Sequence, residues 1–267
     1  MFPLKTTTLP SSAEALERLL NESLRRVFEV EPDPITIRDA SYPSLAEINI
    51  ALDGARVRPD PPRPQLISGE TSPAFQIAQL AVHASALSVG PATVDLSLSA
   101  RAVHLNQGKD SNNELVLSIH DAAEGKIEIS TPLTDVEGVI AKIAKDEAAK
   151  HGVTIENVQL TARATGPRSL EVEVRLRARK VFLGASLRVT GRLELDSELN
   201  AKISSLRCEG DGAIAAIACG VLDPHLQKLN GREFPLMSLP LGEVRLRDVR
   251  LAVGDKLSVT AEFGSAA

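Results

Sequence analysis

The chain has 267 residues, 43% of them hydrophobic, and a formal net charge of −5 from 30 basic and 35 acidic side chains. That length admits one large β-rich domain or two ordinary ones, and the acidic balance argues against general affinity for a phosphate backbone, so no nucleic-acid partner is expected. Aromatic residues make up only 3%, with no Trp, so the core has to be built from Leu, Val, Ile and Ala.

Residues 1–10 read as an N-terminal arm. Ser11-Ser12-Ala13-Glu14 then has the form of a capping box. Behind it Leu16, Leu19, Leu20, Leu24, Val27 and Phe28 recur at steps of three and four, which predicts an amphipathic helix over 12–29, ended by Pro32 and Pro34. Strand-like runs follow at 35–37 and 46–52. Pro59, Pro61, Pro62, Pro64 and Pro73 mark 58–73 as an exposed loop. Alternation returns between 74 and 106, most clearly at Val94, Leu96, Leu98 and Ala100. A hairpin turn at 106–113 then precedes a strand pair carrying Leu115, Leu117, Ile119, Ile127 and Ile129.

Thr134-Asp135-Val136-Glu137 repeats the capping-box form, and Val136, Val139, Ile140, Ile143 and Ala144 predict a second helix that stops near His151-Gly152. The clearest pattern in the chain comes next. From Leu170 to Arg179 apolar and charged residues alternate without a miss, placing Leu170, Val172, Val174, Leu176 and Ala178 on one face of a strand and only charges on the other. The pattern shifts parity at 180–185, where a bulge or tight turn is expected, and resumes at Leu187, Val189, Leu193 and Leu195. A third helix over 212–229 is predicted, with Asp211 as its N-cap and Pro224 inside it, followed by closing strands at 244–253 and 256–263. Each helix is followed by a segment of one design: Ile35-Thr36-Ile37-Arg38-Asp39-Ala40, Val153-Thr154-Ile155-Glu156-Asn157-Val158 and Val244-Arg245-Leu246-Arg247-Asp248-Val249. This points to a repeated helix-then-strand unit.

No nucleophile elbow, P-loop, zinc-protease helix or dinucleotide fingerprint is present. The five histidines are dispersed, with satisfied or solvated side chains as the expectation for His83, His104 and His120. No catalytic residue, cofactor or metal site is therefore expected. Cys208 and Cys219, the first near a strand end and the second on the third helix, read as buried free thiols. Asn21-Glu22-Ser23 matches a glycosylation acceptor but falls inside the first helix. Arg175, Arg177, Arg179 and Lys180 form a basic cluster interrupted by Glu171 and Glu173, and read as a solvated strand face. No run approaches the roughly 18 apolar residues that span a bilayer, so the expectation is a soluble chain, cytoplasmic as given and periplasmic if a leader was removed.

The helix at Ala13–Phe28, the segment Gly184-Ala185-Ser186-Leu187-Arg188-Val189 within the long strands, and Phe234-Pro235-Leu236 leading to Leu239-Pro240-Leu241-Gly242-Glu243-Val244 complete a familiar layout. It resembles that of the LmeA-like bacterial phospholipid-binding proteins of the TULIP (tubular lipid-binding) superfamily. The resemblance implies an α+β fold in which a long, highly curved antiparallel sheet wraps around amphipathic helices, and an apolar space between them that receives acyl chains. On this reading 11–267 is a single elongated domain, divisible into pseudo-repeats 11–133 and 134–267.

The residues add their own argument, since three helices of about four turns face more oily strand surface than they are expected to hide. The expected function is binding, and transfer, of lipids or similar apolar ligands, with transient membrane contact. The lining would come from Leu16, Leu20, Leu24, Val172, Val174, Leu176, Leu187, Val189, Ile214, Ile217 and Val221. The alternative is a non-catalytic structural or interaction protein, a homo-oligomer that buries the same oily face by self-association.

Overall fold

The computed structural model describes residues 2–61, 67–150, 152–180, 183–196, 200–235, 244 and 246–265. The chain runs β1 (Phe2–Pro3), α1 (Ala13–Val27), β2 (Phe28–Glu29), β3 (Ile35–Ser41), β4 (Ser44–Ala51), β5 (Arg56–Val57), β6 (Ser72–Val89), β7 (Ala92–Lys109), β8 (Leu115–Asp121) and β9 (Glu124–Pro132). It continues through α2 (Leu133–Ala149), β10 (Thr154–Gly166), β11 (Ser169–Lys180), β12 (Leu183–Leu195), β13 (Asn200–Gly210), α3 (Ala213–Leu229), β14 (Glu233–Pro235), β15 (Leu246–Val253) and β16 (Lys256–Phe263). The protein is α+β and mostly sheet, and its sheets are open rather than closed into barrels. Among the described residues one sheet has eleven strands, with main path β15-β16-β9-β7-β6-β4-β3, and the other has five, in the order β10-β11-β12-β13-β14. Pairing is largely antiparallel, but β4 runs parallel to β6 from Ser44 to Ala51, a crossover that alternation alone does not reveal.

Two compact units result. One comprises Met1–Ser130, Leu239–Asp248 and Thr260–Ala267, and the other Thr131–Ser238 and Val249–Val259.

The first unit is built on α1. Its N-cap is Ser12, one residue later than the box Ser11–Glu14 places it, and the Ser12 Oγ accepts from the Ala15 N–H at 3.3 Å. The stripe Leu16, Leu20 and Leu24 is 0, 5 and 6% exposed and enters one contiguous core with Ile35, Leu45, Ile48, Phe75, Ile77, Val103 and Leu117. Two polar side chains of α1 clasp the edge strand β3. Buried Asn21 receives the Ile35 N–H on Oδ1 at 2.9 Å and donates its amide to the Ile35 carbonyl at 3.1 Å, while Glu17 Oε2 receives the Ile37 N–H at 2.7 Å. An edge strand so covered has fewer free backbone groups to offer another chain. The same bonds leave Asn21 with no accessible amide to modify.

The opening residues, expected as an arm, run alongside β8. The Leu4 N–H donates to the Leu115 carbonyl at 2.8 Å, the Leu115 N–H returns to the Thr6 carbonyl at 2.7 Å, and the Leu4 side chain is buried. The long hairpin β6–β7 carries the sheet. β7 pairs with β9 up to Arg101 and with β8 from His104. Between them Ala102 takes a left-handed conformation (φ 47°), and the buried set on β7 changes from Ala100 to Val103 and Leu105, a change of parity. The β6–β7 register is unbroken here, Ile77 facing Val103 and Gln79 facing Arg101, so the two strands change together which side chains face the core, without an inserted residue.

Candidate functional site

The second unit contains the unbroken alternation. β11 pairs with β10 and β12 along its whole length, so its two faces extend across the five-stranded sheet. The outer face is a ladder of opposite charges. Arg192 bonds Glu171 at 2.6 Å, Arg175 bonds Glu173 at 2.6 Å, Arg188 bonds Glu209 at 2.5 Å, and Glu156 lies 3.5 Å from Arg177 and 3.2 Å from Arg179. The hydrogen-bonded Glu209 and Glu171 hold the Arg188 and Arg192 guanidinium groups above their ordinary pKa. The arginines of the basic cluster thus have carboxylate partners, as a solvated strand face requires; the side chain of Lys180 lies outside the described residues. Two open grooves of about 430 and 560 Å³ lie over this face, and a third of about 480 Å³ lies on the first unit; about half the lining of each is charged, for example Arg163, Glu171 and Arg207 in the first. None of the three is an apolar hollow.

The inner face is different. Cross-strand pairing aligns Leu160, Val174, Val189 and Cys208 in one row, and Val158, Leu176, Leu187 and Gly210 in the next. Both remaining helices pack on this face. Ile140, Ala141, Ala144 and Ala148 of α2 lie against Ile155, Val158 and Ala178, whereas Ala215, Ala218, Cys219 and Leu222 of α3 meet Ala185 and Leu187. Leu176 touches both groups. The cover is thin: α2 has no buried residue, and Leu160, Val172, Val174, Leu176 and Val189 stay half-buried. Ile143 and Ile217, on the outer sides of the helices, are 64 and 69% exposed.

Helix starts here depart from expectation. α2 begins at Leu133, one residue before Thr134, and its N-cap is Pro132, which has no side-chain acceptor to offer; the Glu137 Oε2 receives the Leu160 N–H of edge strand β10 at 2.7 Å. This repeats what Glu17 does for Ile37 in the first unit. The N-cap of α3 is Gly212 at φ 87°, not Asp211. The turn expected at 180–185 falls between paired Lys180 and Leu183; residues 181 and 182 lie outside the described set.

The structure also corrects the reading of the cysteines. Cys208 and Cys219 are not free thiols but a disulfide, with Cα atoms 5.5 Å apart, within bonding geometry. The sequence held a signal for it. Both fall on inward-facing positions of consecutive elements, Cys219 sharing a helical stripe with Ala215 and Leu222, and a short turn folds the helix back onto the strand.

Of the residues expected to line a ligand, Leu16, Leu20 and Leu24 belong to the filled core of the first unit. Val172, Val174, Leu176, Leu187 and Val189 lie together on the inner face in the second, with Leu187 buried under α3. Ile217 is on α3 but points outward, and the side chains of Ile214 and Val221 lie outside the described residues. The set is therefore divided between the units. Leu160, half-buried beside Val174, belongs with the inner-face group, and the less regular alternation of its strand hides it in the sequence.

His83 meets Asp53 at 3.2 Å and His104 contacts Asp121, both at the surface. Among the described residues no group of three His, Cys, Asp or Glu side chains is arranged to hold a metal, and no helix is long and apolar enough to cross a membrane. No protein-family model, curated protein or solved structure matches the chain.

Proposed function

We propose that this protein binds acyl chains of lipids, or similar apolar ligands, without catalysis, along the inner face of the five-stranded sheet. The observation that carries this reading is the half-buried row Leu160, Val174 and Val189, bordered by Leu176 and only thinly covered by α2 and α3. An acyl chain laid along such a row gains about 0.8 kcal/mol per buried CH₂. Curvature of the sheet around its helices, in the TULIP manner, would deepen the contact, and release of the ligand at a membrane surface would make the protein a carrier. The disulfide favours an oxidising compartment, hence the periplasmic placement over the cytoplasmic one.

Organic extraction of the purified protein followed by mass spectrometry is expected to release lipid, and Val174→Asp is expected to abolish uptake of a dansyl-labelled fatty acid. A clean extract together with no uptake by the wild type removes the proposal. A second reading, self-association, draws on Ile143 and Ile217, whose outward side chains are not part of the inner face. It requires a dimer or larger species by light scattering that Ile143→Ser or Ile217→Ser converts to monomer.

A further inference from the structure

α3 is held on the sheet unevenly. Its C-terminal end is tied to β13 by hydrogen bonds: the Leu206 N–H donates to Asn230 Oδ1 at 3.3 Å, the Gly231 N–H to the Ile203 carbonyl at 2.7 Å, and the Ile203 N–H to the Arg232 carbonyl at 3.1 Å. Its N-terminal half has weaker means. Gly212 supplies no side-chain cap, and among the described side chains the inward residues before the midpoint are small: Ala215, Ala218 and Cys219. Ala215 fits only because Gly210 has no side chain, since a Cβ there would lie 2.7 Å from the Ala215 methyl. The helix is also weakened at its middle. Gly220 is a poor helix former, and Pro224 has no N–H to donate to the Gly220 carbonyl one turn back. The disulfide is placed just ahead of this weak point, joining Cys219 to Cys208, the neighbour of Val189 in the inner-face row.

We infer that the N-terminal half of α3, residues 213–219, is a flap latched by the Cys208–Cys219 bond and hinged at Gly220–Pro224. Reduction releases it and uncovers Leu187, which α3 buries. A dithiol supplies the two electrons and two protons: the S–S bond breaks, thiols form on Cys208 and Cys219, and the reductant closes to its own cyclic disulfide. The device rests on the acyl-binding reading only for the use of the uncovered surface, because the latch itself is measured without ligand.

The test is hydrogen exchange by mass spectrometry on the ligand-free protein, oxidised and after dithiothreitol, with cleavage of the bond verified by alkylation. A Cys208→Ser/Cys219→Ser variant serves as a reductant-free counterpart. Amides of 213–219 are expected to exchange about a hundredfold faster once the bond is gone, while α2, β10–β12 and the end of α3 beyond Pro224 keep their rates. Unchanged exchange at 213–219 overturns the latch. So does equal acceleration across the whole five-stranded sheet, which would make the bond a staple of the unit rather than of the flap. Loss of fatty-acid uptake by the oxidised protein bears on the acyl-binding reading alone.

Discussion

The two units use the same parts with different completeness. In each, a helix carries an acidic side chain that receives a backbone N–H from the edge strand that follows it, Glu17 to Ile37 and Glu137 to Leu160. In the first unit the helix then sinks into a broad core, with Leu16, Leu20 and Leu24 buried among strands from both ends of the β6–β7 hairpin. In the second, α2 buries nothing completely, and among the described side chains α3 meets the sheet through alanines, a cysteine and one leucine. The difference lies in the helix stripe. Three leucines a turn apart reach deep into a sheet, whereas alanines bring the backbone close and cover little area. Tight packing fills the first unit, and thin cover leaves apolar side chains of the second half-buried.

Core truncations break this comparison most directly. Leu16→Ala should cost about 3–5 kcal/mol, because the site is enclosed on all sides and a cavity remains. Val174→Ala on the half-buried inner face should cost only about 1 kcal/mol. Urea unfolding followed through exchange-protected amides of each unit separates the two, and equal losses would show that the second unit is as solidly packed as the first.

The two clasps are expected to behave alike. Glu17→Ala and Glu137→Ala each leave one strand N–H without its carboxylate, at about 1–2 kcal/mol, with the exchange of Ile37 and Leu160 rising accordingly. An effect at only one of them would end the idea of a shared device. The smallest effect on folding belongs to Ile217→Ser, within about 0.5 kcal/mol as for other exposed sites. This variant should leave fatty-acid uptake intact if the ligand lies on the inner face, so a loss of uptake would move the site to the outer side of α3.

Much of the secondary structure was legible because it depends on near neighbours. The helices expected at 12–29 and 212–229 are α1 and α3 to within two residues, and the closing strands fall where alternation placed them. The capping box at Thr134 was misleading because the helix starts one residue earlier, behind Pro132, which leaves Thr134 inside it, and the Leu160 N–H that Glu137 receives is a distant partner that no local pattern announces. Among the residues expected to line a ligand, alternation grouped Val172, Val174, Leu176, Leu187 and Val189 on one face, where cross-strand pairing places them. It had no means of showing that Leu16, Leu20 and Leu24 serve a different core.

By itself, then, the order of residues determined which segments coil, which extend, and which side of each strand is oily, since those depend on spacings of two, three and four along the chain. Tertiary structure alone decided that β7 divides its length between β9 and β8, that β4 runs parallel to β6, and that the opening residues lie against β8. It also decided that Cys208 and Cys219 come within bonding distance. These are choices among distant partners, settled by how much apolar surface and how many backbone groups each pairing satisfies at once, a sum that no short window of sequence contains.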